Sequence, residues 1–305
     1  MLSVCIWGDR GSIPCPGPST VEFGGNTSCL EIRADKRLVI VDLGSGVRLL
    51  GDWLMDNYQS QGPIDADIFI THTHWDHIMG FPMFSPLFHP ATKLRIRGPV
   101  SYGNETLESV LGAQLSYPYW PIRLKDLAVH IEYDQIKETT LDMGGGLGVT
   151  TKYLNHPVLC LGYRVEYQGK SIVTAYDTEP FHNLFPTDTG DPGFNEDAAR
   201  EGELAALEEN EKLVQFYRNA DVLIHDCQYT AAEYEADKRG WGHCTYEYAI
   251  ATALKAKVKK LILFHHDPRR TDQQLTALEA KYRAQLGAGT GLELIMAREG
   301  LTIQA

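Results

Sequence analysis

Short apolar runs punctuated by turn residues, with a few helical stretches between them, make up most of this chain. Residues 2–7, 29–32 and 38–42 read as strands, with a Gly- and Pro-dense loop at 8–18 and a second turn at 24–28. Residues 47–58 carry the amphipathic spacing of a helix, and Ile68-Phe69-Ile70 is a further short strand. A strand at 93–97, a helix at 105–115 and an aromatic, proline-rich run at 116–121 follow. From Gly146 onward strands return at 149–154, 159–167, 171–176 and 222–225. A polar loop at 181–194 and a long charged helix at 195–218 interrupt them. The end of the chain predicts a helix after Cys244, an apolar strand running to Phe264, a helix at 272–286 and a strand at 292–296. The strands thus fall in two series, before Asp76 and after Gly146, with no Pro/Gly/Ser linker between them. The length allows one large α/β domain or two small ones, and the missing linker suits a single domain over residues 1–305.

Composition is that of an ordinary folded protein: 305 residues, 43% hydrophobic and 22% charged. The net charge of -12 and the absence of a Lys/Arg block beyond 255–260 argue against a broad nucleic-acid-binding face. The apolar start is too short for a signal peptide, no run approaches a membrane span, and the six cysteines are scattered. A cytoplasmic protein with reduced thiols and no membrane partner is the expectation.

The chemistry concentrates in Thr71-His72-Thr73-His74-Trp75-Asp76-His77, directly after a buried strand. A lone histidine on an apolar face is usually a packing residue. Three histidines and an aspartate within six residues are the donor set of a transition-metal site. His156 and Asp177 each end a strand-like run, where a turn role is the simpler reading of either one alone. Asp42, also at a strand end, has two readings: a cap on the next turn, or a carboxylate that orients a ligand histidine. In the last strand Leu261, Leu263 and His265 share one face and Ile262, Phe264 and His266 the other, so periodicity alone does not choose between the two histidines.

The H-x-H-x-D-H run resembles the signature of the metallo-β-lactamase superfamily, and His156, Asp177 and His265 stand in the order that family requires. The resemblance implies a four-layer αββα sandwich, two mixed sheets flanked by helices with metals at one edge. It implies two divalent metal ions, zinc first and manganese or iron as alternatives. His72 and His74 would serve one metal, Asp76 and His77 the other, with Asp177 bridging and Asp42 behind a ligand. Residues 242–268 and the opening Trp7-Gly8 to Cys29 are similar to the ribonuclease Z and cyclic-phosphate phosphodiesterase branch. That similarity selects His265 as the last ligand and aligns His243 with the branch's proton donor; with Cys244 where the branch has Ser, a helix-cap or packing role for His243 stays open. Asp76 counts among the catalytic residues too.

A phosphodiesterase acting on a small or cyclic phosphodiester through a metal-bridging hydroxide is therefore expected. A lactone or thioester hydrolase on the same metals is the alternative, with a non-catalytic metal-binding or redox protein of this fold behind it. No basic, Gly-rich arm of the kind that clamps transfer RNA is found, which argues against RNA processing. A homodimer stays open.

Overall fold

The computed structural model describes all residues except 59–61, 100–102, 104 and 288. In chain order the regular elements are β1 (Leu2–Gly8), β2 (Cys29–Ala34), β3 (Arg37–Val41), α1 (Val47–Tyr58), β4 (Asp65–Phe69), α2 (Trp75–Ile78), β5 (Lys93–Pro99) and α3 (Leu107–Ala113). The middle of the chain supplies β6 (His130–Ile136), β7 (Thr140–Asp142), β8 (Leu147–Leu154), β9 (Cys160–Tyr167), β10 (Lys170–Ala175) and α4 (Glu196–Tyr217). The last third adds β11 (Val222–Asp226), α5 (Ala231–Asp237), α6 (Tyr246–Lys255), β12 (Lys260–Phe264), α7 (Asp272–Leu286), β13 (Glu293–Met296) and β14 (Thr302–Gln304).

Two seven-stranded mixed sheets result, in the orders β14-β1-β2-β3-β4-β5-β6 and β13-β12-β11-β10-β9-β8-β7. In the first, β3 to β6 run parallel; in the second, β10 to β13 do. Both parallel halves are near-continuous apolar runs, such as Leu261-Ile262-Leu263-Phe264, because each is covered on both faces. The inner faces meet in one core containing Val4, Ile32, Val41 and Phe69 from the first sheet and Val165, Ile172, Ile224 and Phe264 from the second. The outer face of the first sheet packs on α1 and α3 through Leu50, Leu54 and Leu111. That of the second packs on α4, α6 and α7 through Tyr217, Ala249 and Leu275. The expected αββα sandwich is thus the observed architecture.

Threonine side chains start α3, α5, α6 and α7: Thr106, Thr230, Thr245 and Thr271 each accept a backbone N–H of the first turn. The charged helix α4 buries Ala206 at mid-length and Leu213, Val214, Phe216 and Tyr217 near its C-terminal end, and leaves most of its acidic length in water. All six cysteines are free.

The division of strands at Asp76 and Gly146 needs correction. Strands β5 and β6 extend the first sheet well past Asp76, and β14 returns from the chain end to close its other edge. Strands β7 and β14 escape sequence detection because they are three residues long, and the edge strand β6 because it is half-solvated; His130-Ile131-Glu132-Tyr133-Asp134 buries no residue fully.

Phe264 is fully buried between the sheets, with its ring 4.7 Å from that of Tyr176, and directly precedes His265. Phe264→Ala should lower stability by about 3–5 kcal/mol, read as a fall in the urea midpoint. An unchanged midpoint would mean the sheets do not depend on this contact.

Candidate dinuclear metal centre

The expected metal-site residues and Asp42 all leave the C-terminal end of a strand at the same edge of the sandwich, while His243 comes from the loop between α5 and α6. Asp42 follows β3, the 71–77 segment follows β4, His156 follows β8, Asp177 follows β10 and His265 follows β12. Parallel strands in register bring such ends together, which is why ligands of open α/β sheets gather there. Three of these residues take left-handed backbone angles: Asp42 (φ 63°), Asp177 (φ 47°) and His265 (φ 63°). That conformation is uncommon for a residue with a Cβ and costs about 1–3 kcal/mol. At His265 it also breaks the strand alternation, and it separates the two histidines that periodicity could not. His265 joins the cluster, while His266 turns to the Ala297 carbonyl at 3.0 Å.

One donor set comprises Asp76, His77, Asp177 and His265. The Nε2 atoms of His77 and His265 are 3.3 Å apart. Asp177 Oδ1 is 3.2 Å from each of them. Asp76 Oδ2 is 3.4 Å from His77 and 3.2 Å from His265. Ligand bonds of about 2.0–2.1 Å in a tetrahedron imply donor separations of roughly 3.3 Å, so these five distances match five edges of a tetrahedral metal site.

The second set comprises His72, His74, His156 and Asp177. His74 Nδ1 and His156 Nε2 are 3.2 Å apart, and Asp177 Oδ2 lies 3.5 Å from His72 Nε2 and 3.9 Å from His156 Nε2. Asp177 offers one oxygen to each set. Both His72 Nε2 and Asp177 Oδ1 are buried without a hydrogen bond, which is the state of an atom reserved for another partner. The donor chemistry and spacing therefore fit two divalent ions sharing Asp177.

The surrounding contacts fix the imidazoles. Asp42 Oδ2 accepts from His77 Nδ1 at 2.7 Å, and its carboxylate also accepts from Thr71 N and Thr71 Oγ1. Its partners are thus Thr71 and a cluster histidine, the arrangement of a carboxylate behind a ligand, rather than an N–H of the turn that follows it. His156 Nδ1 donates to the Gly242 carbonyl at 3.0 Å, leaving Nε2 for the cluster. His243 Nδ1 donates to Asp226 Oδ2 at 2.7 Å, and its ring stacks on His265 at 4.9 Å. Burial pushes His72 and His74 down and His156 to about 4, so all three imidazoles are neutral at neutral pH. Burial opposes charge on Asp76 and Asp177 too, but the histidines around them hold both well below the usual carboxylate range. His77 also resists charge by burial, yet Asp177, Asp76 and Asp42 raise it well above its ordinary value. A group surrounded by three acids is where a cation is most stabilised.

Sequence reading missed Asp226, which ends β11 as Asp42 follows β3, and that repetition was the available signal. It also missed Glu179, whose buried carboxylate accepts from Gly240 N and Tyr234 Oη, both at 2.9 Å. Glu179 so ties the segment after Asp177 to the loop that carries His243. Gly242 has φ 82°, and a Cβ there would meet His156 Nδ1 at 2.2 Å. Only glycine allows that carbonyl to reach the histidine.

Asp42→Ala should weaken metal binding at the His77 set by about 10–100-fold while the fold persists. Metal content measured by mass spectrometry after dialysis against a chelator checks this. Full retention of both ions would refute the orienting role.

The metallo-β-lactamase superfamily model matches residues 23–215. Ribonuclease Z of Thermoplasma acidophilum is 27% identical, with 93% of this chain and 92% of that protein covered. Ribonuclease Z of Exiguobacterium sibiricum is 31% identical over 72% of this chain and 76% of its own length. A crystal structure of a diphosphatase from the PhnP family superposes with a TM-score of 0.61 at 16% identity, over 100% of this chain and 98% of its own, and shares the fold. With two sheets, a shared aspartate and the H-x-H-x-D-H run in place, the chain belongs to the metallo-β-lactamase superfamily.

Proposed function

We propose that this metal-dependent hydrolase cleaves a small or cyclic phosphodiester of cyclic nucleotide type. The observation that carries the reading is the pairing of His243 with Asp226 beside the Asp177 cluster. Burial alone would lower His243, but the Asp226 carboxylate outweighs it and holds the ring up to about 9. An imidazole held by a buried carboxylate and stacked on a cluster histidine is placed to give a proton to a leaving alkoxide, a group too basic to depart unaided.

His72, His74, His156 and Asp177 would hold one divalent ion, and Asp76, His77, Asp177 and His265 the other, zinc first with manganese or iron as alternatives. Such a pair supplies Lewis acidity toward phosphoryl oxygens and an acidified water as nucleophile. The chain's own part is geometric. Asp177 sets the spacing of the two donor sets, and Asp42 and Gly242 aim His77 and His156. Asp76 keeps its carboxylate ionised and is anchored by Ser12 N at 2.7 Å, and Asp226 orients His243.

The ribonuclease names of both curated relatives support phosphorus over carbonyl chemistry. They also count against the expectation that nucleic acid is not a substrate, so an RNA end is the second reading. Against it, a net charge of -12 provides little long-range attraction for a long polyanion.

Metal-stripped protein should be inert toward bis(p-nitrophenyl) phosphate and recover turnover with Zn²⁺ or Mn²⁺, and His74→Ala should not recover it. Efficient lactone or thioester hydrolysis with inert phosphodiesters would instead assign the centre to carbonyl substrates. His243→Ala should keep its metals and lose about 10²–10⁴-fold in kcat on an alkyl phosphodiester. On p-nitrophenolate, which leaves without a proton, the loss should be far smaller. Equal losses on both leaving groups would remove His243 from the proton-donor role.

A further inference from the structure

Of five tryptophans, Trp7, Trp53 and Trp120 pack against the outer core of the first sheet, while Trp75 and Trp241 are 70% and 56% exposed. The two exposed indoles come from segments far apart in sequence, yet both adjoin the same donor set. Trp75 stands between His74 and Asp76. Trp241 precedes Gly242, whose carbonyl receives His156 Nδ1 at 3.0 Å. His74 and His156 are themselves 3.2 Å apart, and His74 is the exposed member of its set. The two chain segments that carry these indoles therefore meet at the solvent-facing edge of the centre.

Both indoles sit on rigid backbone. Trp75 opens α2 between two cluster residues. The Trp241 loop is pinned by Gly240 N on Glu179 at 2.9 Å, and Lys238 Nζ lies 4.3 Å over the indole ring. Trp75 also walls a cleft of about 1200 Å³ lined by Met79, Met83, Tyr119 and Trp120, with Tyr119 80% exposed. Large aromatic surface left in water beside a reactive centre, on segments that cannot collapse to cover it, is a binding surface.

We infer that Trp75 and Trp241 bind the planar base of a nucleotide phosphodiester whose phosphate lies at the Asp177 centre. The inference rests on the phosphodiester reading and adds to it the residues that hold the base of such a substrate. Stacking on an indole accepts any base, because every base has a π-face, so these residues select nucleotides over base-free phosphodiesters without reading sequence.

The test compares metal-loaded wild type, Trp75→Ala and Trp241→Ala on adenosine 2′,3′-cyclic phosphate and on glycerol 1,2-cyclic phosphate, which has no base. Each variant should raise KM for the nucleotide about tenfold, with kcat and metal content unchanged and the glycerol substrate unaffected. Adenosine monophosphate should quench the indole fluorescence of wild type, and less so in each variant. KM shifts of equal size on both substrates, or none on either, would overturn the inference. So would unchanged KM with conversion of a dimer to monomers, which would make the indoles a subunit contact. If wild type hydrolyses neither cyclic phosphate but the quenching and its loss are seen, the base site stands and the proposed reaction falls.

Discussion

Four carboxylates, Asp42, Asp76, Asp177 and Asp226, are buried together at one edge of the sandwich, and the rest of the centre answers their mutual repulsion. A buried charge costs several kcal/mol unless paired and hydrogen-bonded. The partners recorded for these four are imidazoles, a threonine hydroxyl and backbone N–H groups. Asp42 and Asp226 are each satisfied by a histidine and by N–H donors, and so act from behind the cluster. Asp76 and Asp177 face inward among nitrogen atoms, and Asp177 Oδ1 has no hydrogen bond at all. Two divalent ions would match the four negative charges. The acids thus divide into two that face the cluster nitrogens and two whose oxygens are taken up by a histidine and by N–H donors behind them.

The fold makes this arrangement possible because the cluster straddles the seam between the sheets. His72, His74, Asp76 and His77 come from the first sheet, and His156, Asp177 and His265 from the second. Neither sheet could assemble either donor set alone. The spacing of the donors, 3.2 to 3.4 Å in the His77 set, is thus only as accurate as the packing of the central core. Close-packed interiors deform little, so Phe264 and Tyr176, buried just beneath the cluster, set the positions of His265 and Asp177 as much as any polar contact does. Metal binding would in turn link the sheets and couple site occupancy to stability.

How much of this was legible follows from where the information lies. The H-x-H-x-D-H run could be read because its donors are local in sequence, and the buried parallel strands because their apolar runs are continuous. Edge strands such as β6 and β14 could not be, since their stability comes from a neighbour that the local pattern does not show. The choice between His265 and His266 was beyond periodicity for a specific reason. Alternation assumes extended backbone, and the chain leaves it at His265 with φ 63°. The resemblance chose the residue, and the backbone explains it. Asp226 and Glu179 went unread because their partners, His243 and Gly240, lie 17 and 61 positions away.

Cys244 shows why the departure from the related branch, which has Ser there, need not disturb the proton donor. The contact that matters to Asp226 is made by the Cys244 backbone N–H, 3.3 Å from Oδ1, and any residue supplies that donor. The side chain sits on the other side of the same strand end, its thiol against the Asp226 carbonyl, fully buried. Burial and the nearby Asp226 charge push the thiol well up, so it stays protonated and neither competes for a metal nor attacks a substrate. The thiol donates to the Asp226 carbonyl at 2.8 Å, an acceptor that a serine hydroxyl at this position would also find. His243 thus owes its position to Asp226 and to the loop latched by Glu179, and the residue after it is free to serve packing.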